Sequence, residues 1–376
     1  MLVLPLANHF RVENGPKLLA MAAGIKRLKI PVVIVGVGCQ ASVDYDTGCL
    51  ASVDDAVRQF VGAVLDRSSS IGVRGECTAA YLNRLGFSEI DVIGCPSMFM
   101  NGGILPSPKR LAQIDRHTRV SLNITAADKQ DPYMRDLDRA GRFCGRAIAD
   151  HDDVVFIPQT DPSISDLLFG VQREMPEHRD IPASAYGALH DQGRVVSFVD
   201  YDTWVDFLRP RDLTCGTRIH GGIAGVLASN ATHILVVDSR TRELCEHFEI
   251  PHSRVSSLAE GTRIPDLYGL DDGARMVSGH ARRFAEYLAF LQKNDLKNVY
   301  AGGDQGAAFE AKMAAVAFPS AIHSLPAQSP GFERAMWMRE HLAHQKAVSE
   351  SILREAGTLK AVVRRLARGA YEAVRR

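Results

Sequence analysis

Short apolar runs alternate with amphipathic stretches through most of this chain. Runs at 30–36, 70–73 and 90–94 are separated by helical patterns near 53–68 and 77–85, with a further run at 2–6. A strand that returns to its sheet through a helix must lie parallel to its predecessor. Parallel strands need helices on both faces. A second series begins after the polar, proline-bearing stretch 105–118, with runs at 120–124, 154–158, 195–199, 213–215 and 233–237. This pattern predicts an α/β chain of two Rossmann-like parallel-sheet domains facing a cleft, at 1–112 and 113–270. Ligands of such folds lie at the carboxyl ends of strands and between domains.

The remainder, 271–376, predicts a helical extension. Met276, His280, Phe284, Leu288 and Leu291 fall at three- and four-residue spacing and mark one face of a long helix. The alanine-, glycine- and proline-rich stretch 301–331 predicts a loop, and two helices are expected near 333–349 and 351–374. In the last of these, Leu359, Val362, Val363 and Leu366 form an apolar stripe flanked by Lys360, Arg364, Arg365, Arg368, Arg375 and Arg376. Such a helix either makes peripheral contact with an anionic membrane surface or packs on the protein with a solvated basic face.

At 376 residues the chain exceeds one ordinary core, and two domains of about 100–200 residues are expected. With 44 basic and 44 acidic side chains there is no global field to draw nucleic acid, so any anion preference is local. The seven cysteines include no C-x-x-C pair, which points away from structural zinc and from a disulfide framework, toward reduced thiols in the cytoplasm. The opening residues lack the basic start of a signal peptide, and no apolar run reaches the ~18 residues of a membrane span.

The densest chemical signal is Thr217-Arg218-Ile219-His220-Gly221-Gly222, between the strand pattern ending at Cys215 and the apolar helix pattern 221–228. It puts an arginine and a histidine at a strand-to-helix junction, where unpaired backbone N–H groups and the helix dipole favour an anion. A guanidinium adds a planar fork for phosphate or carboxylate, and an imidazole exchanges protons near neutral pH. The triplet by itself is short, and Gly-Gly at a helix start also serves close packing. Its surroundings give it weight. Phe198-Val199-Asp200, Trp204 and Phe207-Leu208 precede it; Asp238-Ser239-Arg240-Thr241-Arg242-Glu243-Leu244 and Ile250-Pro251 follow. Upstream lie Val35-Gly36-Val37-Gly38-Cys39-Gln40, Ile71-Gly72-Val73-Arg74-Gly75-Glu76 and Val92-Ile93-Gly94-Cys95-Pro96-Ser97.

In order and content these blocks resemble the polysaccharide pyruvyl transferase family over residues 3–255. The resemblance implies a GT-B-like pair of domains and transfer of pyruvate from phosphoenolpyruvate, as a ketal, onto a sugar of a cell-surface polysaccharide or glycolipid. It implies no cofactor and no metal beyond the donor substrate. The family's opening strand and its N-x-G-D loop have no counterpart before 2–6, so the first strand-helix unit is expected to be lacking. Location in the cytoplasm, at the inner face of the membrane, goes with this activity. A GT-B nucleotide-sugar glycosyltransferase and a truncated, non-catalytic glycan-binding protein remain open as alternatives, because fold does not fix function.

Phosphoenolpyruvate carries a phosphate and a carboxylate and must gain a proton. Arg74 and Arg218 match the family's arginines and answer the two anions; His220 is assigned as general acid. The backbone N–H groups of Ile219 and Gly221 are further anion donors. Glu76 is a candidate base for the sugar hydroxyl or a first-turn glutamate answering the helix dipole. Asn123, Gln159 and Thr160, at strand ends, are candidates for the acceptor, and Asp238 and Arg240 complete the substrate-binding set. Arg242 and Glu243 suit a salt-bridged helix start, and Trp204 and Phe207 suit the core. The glycines at 36 and 38 lack the third glycine of a dinucleotide fingerprint.

Overall fold

The computed structural model describes residues 1–124, 134–159, 183–301, 303–304 and 306–325, and residues 331, 333, 337, 340–342 and 344–351. Its first half contains β1 (Leu2–Leu4), α1 (Gly15–Lys26), β2 (Val32–Ile34), α2 (Asp54–Leu65), β3 (Ile71–Val73), α3 (Glu76–Arg84) and β4 (Ile90–Val92). β1 pairs in parallel with β2, and β3 with β4. A parallel bridge from Val37 to Val73 joins the two pairs. In α2, Val57, Phe60, Val61 and Val64 recur at the helical period and are all buried, so that one face of the helix closes the core over Phe10, Leu18 and Tyr81.

The second half runs β5 (Val120–Asn123), α4 (Met134–Asp150), β6 (Val154–Phe156), α5 (Ala183–Asp191), β7 (Val196–Ser197), α6 (Tyr201–Leu208), β8 (Leu213–Gly216), α7 (Ile219–Leu227), β9 (Ala231–Val236), α8 (Ser239–Phe248) and β10 (His252–Arg254). Five strands form one parallel sheet in the order β10-β9-β8-β5-β6, and a bridge from Phe156 to Val195 sets the chain entering β7 beside β6. The central strands β5 and β8 are buried along their whole length, Ser121 and Thr214 included, as in a sheet covered on both faces. Strand order reverses between β5 and β8. Here the crossover helices depart to opposite faces and leave a crevice at the strand ends.

After the short α9 (Ile264–Leu267), helix α10 (Ala274–Lys293) presents Met276, His280, Phe284 and Leu291 inward, with Leu288 partly buried. It is not an appendage to the second half, as an extension would be. Met276 and Phe284 share a cluster with Phe248, whereas Phe290 and Leu291 pack on Val33, Val35 and Ile93 of the first half. Beyond its end, the Asn294 side-chain oxygen accepts hydrogen bonds from the Ser69 and Ser70 N–H groups at 3.0 and 3.1 Å. The stretch expected as a loop after residue 301 also contains structure, with α11 (Ala307–Ala314) and β11 (Ile322–His323), the latter antiparallel to β7. The apolar stripe and basic flanks of 359–376 lie outside the described residues, as does Thr160. Among the described residues, no helix is long and apolar enough to cross a membrane.

Candidate active site

Helix α7 begins where β8 stops, and its start is shaped by Asn123 at the end of β5. Gly216 closes β8 at φ +152°, and a Cβ there would lie 1.6 Å from the Asn123 carbonyl oxygen. That oxygen accepts the Thr217 N–H at 3.0 Å, while the Asn123 side-chain oxygen accepts the Arg218 N–H at 2.9 Å. Asn123 therefore fixes the turn that carries Arg218 and His220. Arg218 is the residue preceding α7, and no side chain caps that helix, so its positive end faces the crevice. Gly221 lets the first turn approach: a Cβ would fall 2.5 Å from Asn123 Nδ2 and 2.8 Å from Gln159 Nε2. The Tyr201 hydroxyl donates to the His220 carbonyl at 2.9 Å and holds the same turn from α6.

Arg218 reaches this point without an anionic partner. Among the described residues its guanidinium has no ion pair, and its Nε is buried with no acceptor, as is Gln159 Nε2. Burial, followed by repulsion from Arg240, lowers its pKa against the opposing pull of Asp238. Arg74, after β3 in the first half, is also buried and donates from Nε to the Gly36 carbonyl at 3.0 Å. Its pKa too is lowered by burial, against the pull of Cys95 and Glu243. Arg240 and Asp238 act on both arginines, which places the two basic strand ends in one electrostatic neighbourhood. Asp238 itself caps α8, accepting from Thr241 N–H at 3.0 Å, and pairs with Arg240.

The sequence-derived set is thus divided. The structure brings together Arg74, Arg218, His220, Ile219, Gly221, Asn123, Gln159, Asp238 and Arg240 around the crevice. Glu76 is corrected: it is exposed on α3, and no hydrogen bond or ion pair ties it to this group. The carboxyl that faces Arg74 is Glu243, which sequence reasoning gave to a salt-bridged helix start. It is 2 % exposed and reaches from α8 into the first half, where Thr78 donates through N–H at 3.1 Å and through its hydroxyl at 3.0 Å. The nearby Ser239 hydroxyl accepts the Ala41 N–H at 2.8 Å, Arg242 donates to the Val43 carbonyl at 2.7 Å and the Tyr45 hydroxyl donates to Glu246 at 2.6 Å, so α8 is fastened to the first half along its length. Trp204 is buried and stacks on Phe198 at 5.7 Å, a core role.

Burial pushes the Glu243 carboxyl up to about 8, and the Thr78 hydrogen bonds and Arg74 offset only part of this. Unfolded, the same group releases its proton near 4.5. Between those values the native state holds the extra proton, so this residue makes stability fall as pH rises, by up to roughly 1.4 kcal/mol per pH unit. Glu243→Gln is expected to flatten that slope. Urea denaturation of both proteins at two pH values inside the window checks it, and equal slopes would refute the assignment.

Cys95 is the site member that sequence reasoning passed over. It follows β4 of the first half, and its Sγ lies 3.7 Å from His220 Nε2 and 3.0 Å from the Ser97 hydroxyl. Burial pushes its thiol up, but the His220 contact, the charges of His220 and Arg74, and the Ser97 hydroxyl outweigh this and bring it to about 6. Its place after a strand end, opposite an arginine strand end, was the available signal. A separate cavity of about 400 Å³ opens at the other pole, among Leu213, Ala231, His233, Tyr268 and Met276. It lies at the amino ends of β8 and β9 and contains none of the cationic groups above.

Two parallel-sheet halves, with basic strand ends and an imidazole in one crevice, define the class as α/β. The model of the polysaccharide pyruvyl transferase family matches residues 13–229, more than half of the chain, and the protein belongs to that family. No curated protein matches the chain. Among solved structures, a putative UDP-N-acetylglucosamine 2-epimerase from Listeria monocytogenes aligns at 11% identity and TM-score 0.41, over 84% of this chain and 75% of that one. A UDP-forming α,α-trehalose-phosphate synthase from Burkholderia vietnamiensis aligns at 11% identity and TM-score 0.36, over 81% of each.

Proposed function

We propose that the protein transfers pyruvate from phosphoenolpyruvate to two hydroxyls of a sugar in a cell-surface polysaccharide or glycolipid precursor. The observation that carries this is the Arg218 guanidinium, which has no ion pair among the described residues and a buried, acceptor-less Nε, beside the start of α7 and the charge of Arg240. A desolvated cation without a counterion is costly, and a bound anion is the natural remedy. Phosphoenolpyruvate has two anionic groups, and Arg74 and Arg218 come from opposite halves to meet them.

In this scheme the His220 imidazolium gives its proton to C3 of the donor, and a sugar hydroxyl oxygen bonds to C2. The hydroxyl proton passes to the imidazole. A second hydroxyl then bonds to C2 as the C2–O bond to phosphate breaks, its electron pair leaving with phosphate and the second proton going to that phosphate. Donor phosphate and carboxylate are held by guanidinium forks and by the Ile219 and Gly221 N–H groups, where charge-assisted bonds contribute roughly 1.5–3 kcal/mol each. The transfer is redox-neutral, and acid–base and electrostatic groups supply what it demands. Because the donor is a cytosolic metabolite, the protein would work in the cytoplasm, with its acceptor at the membrane's inner face.

Phosphoenolpyruvate is expected to raise the Tm with the logarithm of its concentration, by the equivalent of about 2.7 kcal/mol at a hundredfold excess over Kd, and Arg218→Ala to lose most of that shift. Stabilisation by nucleotide sugars with no response to phosphoenolpyruvate would replace this reading with glycosyl transfer.

A further inference from the structure

We propose that Cys95 is the positioning residue of this site: as a thiolate it holds Nε2–H of His220 from across the crevice, leaving Nδ1 to exchange the proton with substrate. The proton's destination rests on the pyruvyl-transfer reading; the thiolate–imidazolium pair does not.

The geometry is that of a pair with a supporting donor. Cys95 Sγ is 3.7 Å from His220 Nε2, within reach for sulfur, and the Ser97 hydroxyl is 3.0 Å from the same sulfur. His220 Nδ1 has no hydrogen-bond partner among the described residues. The contact joins the two halves, since Cys95 follows β4 and His220 lies in the first turn of α7, 125 residues away. A sulfur in this position does for His220 what a carboxylate does in a hydrolytic triad. It fixes which ring nitrogen carries the permanent proton and stabilises the charged ring.

The charges facing Cys95 favour the anion. His220 comes from α7 and Arg74 from the end of β3, and both pull the thiol toward its anion, while Tyr201 of α6 and Tyr287 of α10 face it as neutral phenols. Behind Arg74 stand Glu243, Asp238 and Arg240. Asp238 is already paired with Arg240, and Glu243 is held by Thr78, so neither carboxylate neutralises Arg74 through an ion pair. The thiol's depressed pKa agrees with this arrangement. Thiolates form beside arginine and protonated histidine in this way. At 5 % exposure the sulfur is shielded from solution electrophiles, which suits a group that orients a neighbour more than one that attacks.

The full-length protein tests this without substrate. The ultraviolet absorbance of thiolates, titrated in the wild type and in Cys95→Ser, isolates Cys95 by difference. The difference is expected to titrate near pH 6, and to move above about pH 8, the ordinary range of a thiol, in His220→Gln. Ser97→Ala keeps the pair but loses the hydroxyl, and is expected to move the midpoint up by less. In transfer assays Cys95→Ser is expected to lower kcat/KM by about 10²-fold, the low end of a general acid–base contribution, and to displace the acid limb of the pH profile. Its thermal shift at a given phosphoenolpyruvate concentration should stay that of the wild type. No Cys95-dependent thiolate below pH 8, or a pH profile unchanged in Cys95→Ser, would overturn the proposal. A normal thiolate titration in a protein that transfers no pyruvate overturns only the proposed reaction.

Discussion

His220→Gln is expected to lower kcat/KM for pyruvyl transfer by about 10²–10⁴-fold, the range contributed by a positioned acid–base group, with only the small loss of thermal stability that follows from losing the contact to Cys95. Glutamine preserves bulk and polarity but carries no exchangeable charge near neutral pH. The fold has little to lose, because the Tyr201 hydroxyl bonds the His220 backbone carbonyl, which the substitution retains. The imidazole's one described side-chain partner is Cys95. Phosphate release from phosphoenolpyruvate in the presence of a sugar acceptor, measured beside Tm, separates the two effects. Near-wild-type turnover would remove His220 from the chemistry, whereas a large drop in Tm would mark it as structural.

Gly216→Ala is expected to have the largest effect on stability, at least about 3 kcal/mol from backbone strain and overpacking combined. The backbone there is at φ +152°, and the added Cβ would meet the Asn123 carbonyl at 1.6 Å and the Asn123 side-chain oxygen at 2.7 Å. Both obstacles are part of the strand end that sets Arg218, so the chain cannot yield locally without losing the turn. At roughly 2–4 °C per kcal/mol for a domain of this size, a fall in Tm of about 6–12 °C follows. A variant that melts with the wild type would show that β5 and β8 separate more easily at their ends than this contact requires.

Much of the scaffold was legible in the order of elements. The alternation of apolar runs and helical stretches marks β2 to β4 and β5 to β9, because parallel strands buried on both faces cannot hide their composition. The Arg218–His220 turn was legible for the same reason, as a break between two apolar runs. What escaped were relations set by tertiary packing. Arg74 and Glu243 are distant in sequence, and nothing local distinguishes Glu243, buried against Thr78, from Arg242 beside it, which pairs with Glu246 one helical turn on. Glu76 carried the more obvious signal, a carboxylate two residues from Arg74, yet it opens α3 on the solvent side. Cys95 looked like one of several scattered cysteines until the two halves were placed face to face. Helix α10 was legible as a helix from its spacing, but its destination was not, since Phe290 and Leu291 find their partners in Val33, Val35 and Ile93.

The fastening of α8 to the first half bears on the order in which the molecule assembles. The bonds from Ala41 to Ser239 and from Thr78 to Glu243 close sequence separations of 198 and 165 residues, and the Cys95–His220 contact closes 125. Each such closure must first overcome chain entropy that grows with the logarithm of the loop, so these contacts wait until both sheets have formed and brought the ends near. The elements inside each half can form beforehand, but the crevice belongs to neither alone. The crevice is therefore complete only where the two halves are docked, and any loosening between them takes the site apart before either sheet is lost.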